Sequence, residues 1–154
     1  MARKEVKILF NQEIVDKYRE YYFKKYPKRK KFDISCVCVS LNVFTGMTRM
    51  AQAGAKVKYA EFVEWVLNYY NIPKLELTDC TLTVHFIWHN RTRRDYDNYC
   101  ICLKFYLDPI TKYGLLEDDS YKQIKDVDLK MEYIKGKSPS VEYIFEYDDE
   151  LQTN

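Results

Sequence analysis

A chain of 154 residues fits one domain, and at this length roughly 70% of the extended surface is hidden on folding, enough for a true core. The net charge of +2 is nearly neutral but uneven: residues 1–31 hold eleven Lys/Arg against four Asp/Glu, and the rest hold fourteen against nineteen. No apolar run approaches the ~18 residues of a membrane helix and no apolar core follows Met1-Ala2-Arg3-Lys4-Glu5, so a soluble, cytoplasmic protein without a membrane partner is expected.

The first periodic segment is Gln12 to about Lys25, where Ile14, Tyr18, Tyr21 and Tyr22 recur at helical spacing, Asn11 can cap and Pro27 stops the helix. An exposed basic loop, Lys28-Arg29-Lys30-Lys31, follows, and Phe32 to Val39 alternates like a strand. Asn42 to Ala55, with Gly46 and Gly54, reads as a loop. Val57 to Tyr70 is the clearest helix, with Phe62, Val63, Val66, Leu67 and Tyr70 on one face. Leu75 to His89 reads as a strand with Leu82, Val84, Phe86 and Trp88 on one side and His85 and His89 on the other. Asn98 to Tyr113 reads as a helix in which Pro109 forces a kink and which Gly114 closes. The runs Val127 to Tyr133 and Val141 to Tyr147, joined through Gly136 to Pro139, predict an antiparallel hairpin. Strands and two or three helices around one mixed sheet of about four to six strands give a single α+β domain.

The five cysteines, Cys36, Cys38, Cys80, Cys100 and Cys102, include two Cys-x-Cys pairs; reduced, mostly buried thiols are expected, with zinc as the alternative. His85 and His89 would stand about 13 Å apart along a strand, too far to share an ion, so surface or structural roles are expected. Chemistry is concentrated instead in Arg91, Arg93-Arg94-Asp95-Tyr96-Asp97-Asn98, Lys104, Asp108 and Glu117-Asp118-Asp119. Asp95 and Asp97 point the same way in an extended backbone and offer the hard oxygens that Mg²⁺ accepts. A helix that leaves this point and turns at Gly114 could bring Asp118-Asp119 back to it. Lys104 suits a scissile phosphate or its developing charge, or an i,i+4 ion pair with Asp108.

Arg94-Asp95-x-Asp97-Asn98, Lys104, Asp108, Gly114 and Asp118-Asp119, in this order, resemble the signature of the RusA family of Holliday junction resolvases, over residues 91–124. The resemblance implies a Mg²⁺-dependent homodimeric endodeoxyribonuclease, Mn²⁺ able to substitute, that nicks two strands of a four-way DNA junction by a metal-activated water. It places the metal carboxylates on Asp95, Asp97 and Asp119 with Asp118 in support, and the essential lysine on Lys104. Arg94 beside them would hold backbone phosphate. On this reading residues 1–31 are a basic helical extension, 32–147 the nuclease domain and 148–154 an acidic tail. Phosphate binding is expected from Arg91, Arg93, Arg94 and from Lys28, Arg29, Lys30 and Lys31, and it should weaken with salt. The step from Asp97 to Lys104 is longer than the family's. A non-catalytic nucleic-acid-binding module and a general phage nuclease for branched DNA are the competing expectations.

Overall fold

Alternation dictates the sheet. In β2 (Cys80–Trp88) every second side chain is buried, and in β4 (Ser140–Tyr147) Val141, Tyr143, Phe145 and Tyr147 are buried. β1 (Lys4–Phe10) adds Val6, Ile8 and Phe10 to the same face, and β3 (Ile124–Tyr133) completes the sheet. The strand order is β1-β4-β2-β3; β2 and β3 are parallel and the other two pairs antiparallel. The computed structural model describes residues 3–153; Met1, Ala2 and Asn154, the outermost residues of the expected extension and tail, lie outside the described residues.

The helices cover one face. α1 (Gln12–Lys25) is capped by Asn11, whose Oδ1 accepts from Ile14 N at 2.9 Å, and it buries Ile14, Val15 and Tyr18. A short α2 (Leu41–Thr45) leads into α3 (Arg49–Tyr69), which buries Tyr59, Phe62, Val63, Val66 and Leu67. α4 (Tyr96–Tyr99) and α5 (Ile101–Tyr113) carry the chain from the end of β2 back along the sheet. The layers are fastened by aromatic contacts and buried phenols. Tyr106 of α5 stacks on Tyr143 of β4 with centroids 5.1 Å apart and planes 3° from parallel, and Phe10 meets Tyr106 edge-on at 4.8 Å. Tyr143 donates to Cys102 O at 2.8 Å and Tyr106 to Cys36 O at 2.6 Å, so neither buried hydroxyl is orphaned. Complete burial holds both phenols well above their usual range.

The α+β class stands, as one domain with a mixed four-stranded sheet. Several local expectations are corrected. Residues up to 31 are not an appendage, because β1 pairs with β4 along its whole length and α1 supplies core side chains. The acidic tail is docked too: Gln152 Oε1 accepts from Thr78 N at 2.8 Å and from Asp79 N at 3.1 Å, and Lys4 pairs with Asp149. Residues 32–39 form no strand. They run as an irregular segment that buries Ile34, Cys36, Val37 and Cys38 and whose backbone is met by side chains, Tyr106 on Cys36 O and Tyr59 on Ser35 N. The expected loop 42–55 is mostly helix, since Thr48 caps α3 through Ala51 N and lets it start well before Val57. The expected β3–β4 hairpin does not form: β4 lies between β1 and β2, and β3 pairs with the far side of β2. α5 runs through Pro109 unbroken, and the break falls at Cys100 instead.

The five cysteines are free thiols, Cys100 exposed and the others buried. His85 Nε2 lies 3.1 Å from Glu132 on the neighbouring strand, a surface pair.

Candidate functional site

β2 ends at Trp88, and the turn that follows carries the arginines. Arg94 lies over the Trp88 ring at 4.1 Å and is pinned by Asn90 Oδ1 at 2.9 Å and by the carbonyls of Asn90 and Thr92. These bonds use its donors to shape the turn. The Trp88 indole N–H is buried and has no acceptor among the described residues. Arg93, 88% exposed at its side chain, reaches Asp95 Oδ1 at 3.2 Å, and Arg91 lies 5.0 Å over the Tyr133 ring at the end of β3.

Asp95 is the residue before α4 but makes no side-chain capping bond, and Asp97 falls in the first turn. Both are exposed. Two contacts fix α4 in place: Tyr99 packs against Trp88 at 5.1 Å, and Asn98 Oδ1 accepts from Asn42 N of α2 at 2.9 Å. This tie between α2 and α4 escaped sequence reasoning, which took residues 42–55 for a loop.

Lys104 stands on the exposed side of α5 and pairs with Asp108 one turn on, Nζ to Oδ2 3.6 Å. Gly114 ends α5 with φ of 108°. A side chain there would strain the backbone and meet Lys74 Cβ at 3.4 Å. The chain then makes a parallel bridge, Leu77 with Leu116, and turns through Asp118 and Asp119 before β3. Asp118 Oδ1 accepts from Asp119 N at 2.8 Å. Partial desolvation raises the Asp119 carboxyl above the usual carboxylate range, and the charges of Asp108 and Asp118 push the same way.

Two acidic groups result. Asp95 and Asp97 lie where α4 leaves β2; Asp119 follows Asp118 and lies within electrostatic reach of Asp108 of α5, a residue of the signature that the sequence reading gave no metal role. Along α5 alone the seven steps from Ile101 to Asp108 rise about 10 Å at ~1.5 Å per residue, and α4 with Asp97 lies beyond its start. Among the described residues, no three His, Cys, Asp or Glu side chains stand close enough to hold one metal ion. One chain therefore does not bring Asp95, Asp97 and Asp119 to a single point.

Lys28, Arg29, Lys30 and Lys31 are exposed beyond the end of α1. Arg29 is held by Tyr22 Oη at 3.1 Å and over the Tyr26 ring at 3.8 Å. No helix is long and apolar enough to cross a membrane among the described residues. No protein-family model matches the sequence, and no curated protein does.

Proposed function

We propose that the protein is a metal-dependent endodeoxyribonuclease for branched DNA, of the Holliday junction resolving kind, and that it works as a homodimer. The observation that carries this reading is the β2–α4–α5–β3 unit. A parallel strand pair holds an arginine turn and two exposed aspartates after its first strand, a lysine on the connecting helix, and an acid pair before its second strand.

Within one protomer the carboxylates do not fit a metal. Across a two-fold axis Asp95 and Asp97 of one chain would join the partner's Asp118 and the partner's Asp119 in an all-oxygen set suited to Mg²⁺ or Mn²⁺. A surface for a second copy is present on the edge strand β3, where Val127 and Tyr133 are exposed and Leu129 and Met131 half-covered on the side that faces the helices. Held by those carboxylates, a divalent ion would supply the charge needed to activate water and to offset charge on the leaving oxygen.

The chain's own groups do the rest. Arg93 and Arg91 are placed to hold strand phosphates after β2, with Arg94 shaping the turn. Lys104 offsets negative charge as it develops on the phosphate, once Asp108 yields it. The Lys28–Lys31 loop adds a salt-sensitive hold on the DNA.

A labelled four-way junction incubated with Mg²⁺ tests the reading. Paired nicks are expected from the parent chain, and Asp97→Asn should abolish them while leaving junction binding intact. Equal cutting by both proteins would remove the metal role. The lack of a three-carboxylate cluster in one chain favours a second reading, a binding module without catalysis; a shifted but uncut junction with either metal is its signature.

A further inference from the structure

The outer surface between α1 and α3 carries an aromatic array that the acidic centre does not use. Tyr18, Tyr21, Trp65 and Tyr69 form a ladder of rings: Tyr18 to Tyr21 at 5.9 Å and 29°, Tyr21 to Trp65 at 5.8 Å and 35°, Trp65 to Tyr69 at 5.1 Å and 23°. The ladder is not simply core. Tyr21 and Tyr69 are 40% and 43% exposed, an arrangement that leaves water against large apolar rings.

Cations are interleaved with the rings. Lys17 lies 5.3 Å over Tyr69 and bonds its hydroxyl at 2.8 Å, Lys25 lies over Tyr21 and Tyr26 at 5.9 and 5.4 Å, and Arg29 covers Tyr26 at 3.8 Å. Residues 12–31 hold eight Lys/Arg against three Asp/Glu. A cleft of about 190 Å³ opens in this array, walled by Tyr18, Tyr21, Tyr26 and Trp65 with Lys25 at its rim. Glu61, Glu64 and Asn68 complete the lining, and neither glutamate enters an ion pair among the described residues.

We propose that this cleft holds an unpaired base of a single-stranded nucleic-acid segment, with the strand's phosphates running over Lys25, Arg29 and the adjoining basic loop. Flat rings interleaved with cations stack bases and neutralise phosphates together. Glu61 and Glu64 decide which bases fit best. The two N–H groups of an exocyclic amine, carried by cytosine, adenine and guanine, can serve both carboxylates, where thymine offers only its single ring N3–H. A protein partner would match the rings but leaves the interleaved cations beside the carboxylate rim unexplained by one ligand. The site stands apart from the acidic centre, and the nuclease reading can fail without touching it.

The test uses the full chain in EDTA, with 12-residue oligo(dC) and oligo(dT) as probes, read by tryptophan fluorescence and by anisotropy of a labelled strand. Oligo(dC) should quench the parent and bind more tightly than oligo(dT). Tyr21→Ala and Trp65→Leu should each weaken oligo(dC) binding by roughly tenfold or more, and Glu64→Gln should narrow the dC/dT difference. Trp65 is half-buried, so Tyr21→Ala, at an exposed ring, guards against misfolding, checked by circular dichroism. The proposal is overturned if a folded Tyr21→Ala binds like the parent, if dC and dT bind equally, or if only an arginine-rich peptide binds. Junction cutting in Mg²⁺, measured on the same variants, reports on the acidic centre separately.

Discussion

If the metal centre is shared between two chains, two dead variants should rescue one another. Asp97→Asn removes a ligand after β2 and Asp119→Asn one before β3, groups that the parallel register of β2 and β3 places at opposite ends of the unit. Carboxylates on one Mg²⁺ have oxygens at ~2.1 Å from it, so those two cannot meet in one chain. Each variant alone should be inactive, because every site in its homodimer lacks a ligand. In a mixed dimer one site collects both substitutions and the other collects none. Equal mixing makes about half the dimers mixed with one sound site each, so nicking should recover to about a quarter of the parent rate. The assay is junction cleavage in Mg²⁺ after the two proteins are co-unfolded and refolded together, with heterodimer formation verified by differently tagged chains. Verified heterodimers that cut no better than either variant alone refute the shared centre, since a site built within one chain leaves no intact copy in the mixture.

Asp119 has a raised folded-state pKa, so its contribution to stability is fully present below its unfolded value of 3.8 and is lost as pH rises through the folded value. Asp119→Asn should therefore raise the unfolding free energy from urea titration at pH 7, by no more than about 0.5 kcal/mol given the group's exposure, and leave it unchanged below pH 3.8. Gly114→Ala should cost about 1–2 kcal/mol by thermal melting, because φ of 108° is strained for any L side chain. Tyr106→Phe should cost about 1–3 kcal/mol by leaving the buried Cys36 carbonyl without its donor. Raising salt from 50 to 200 mM should weaken junction binding in the parent more steeply than in a Lys28→Ala, Lys30→Ala, Lys31→Ala triple variant.

Where one local force dominates, sequence reasoning reached the structure. The Asn11 cap, the buried face of α3, the alternation in β2 and the Gly114 stop all depend on neighbours within a few residues. It failed where a distant partner decides. Residues 32–39 alternate like a strand, yet Ile34, Cys36, Val37 and Cys38 are all buried because α5 and β4 surround them. β1 was hidden in a basic stretch whose lysines cover the alternation of Val6, Ile8 and Phe10. The hairpin expected of β3 and β4 rested on a turn-like connection, and pairing across the sheet with β1 and β2 overrode it.

The acidic site shows the same division more sharply. Residue types and their order along the chain were legible; their meeting point was not, because it depends on strand direction. A strand, a crossing helix and a parallel strand put the residue after the first strand and the residue before the second at opposite ends of the unit. The register Cys80 with Ile124 through Trp88 with Tyr133 fixes that geometry here, and nine residues of strand at ~3.3 Å make the unit about 26 Å long. Folding inside one chain draws Asp119 toward Asp108 and leaves Asp95 beside Arg93, each group repelling or paired in a way that a shared cation would relieve. On the proposed reading, a two-fold axis that turns one unit end for end against another would close both gaps at once, and the half-bare edge strand β3 offers apolar surface for it.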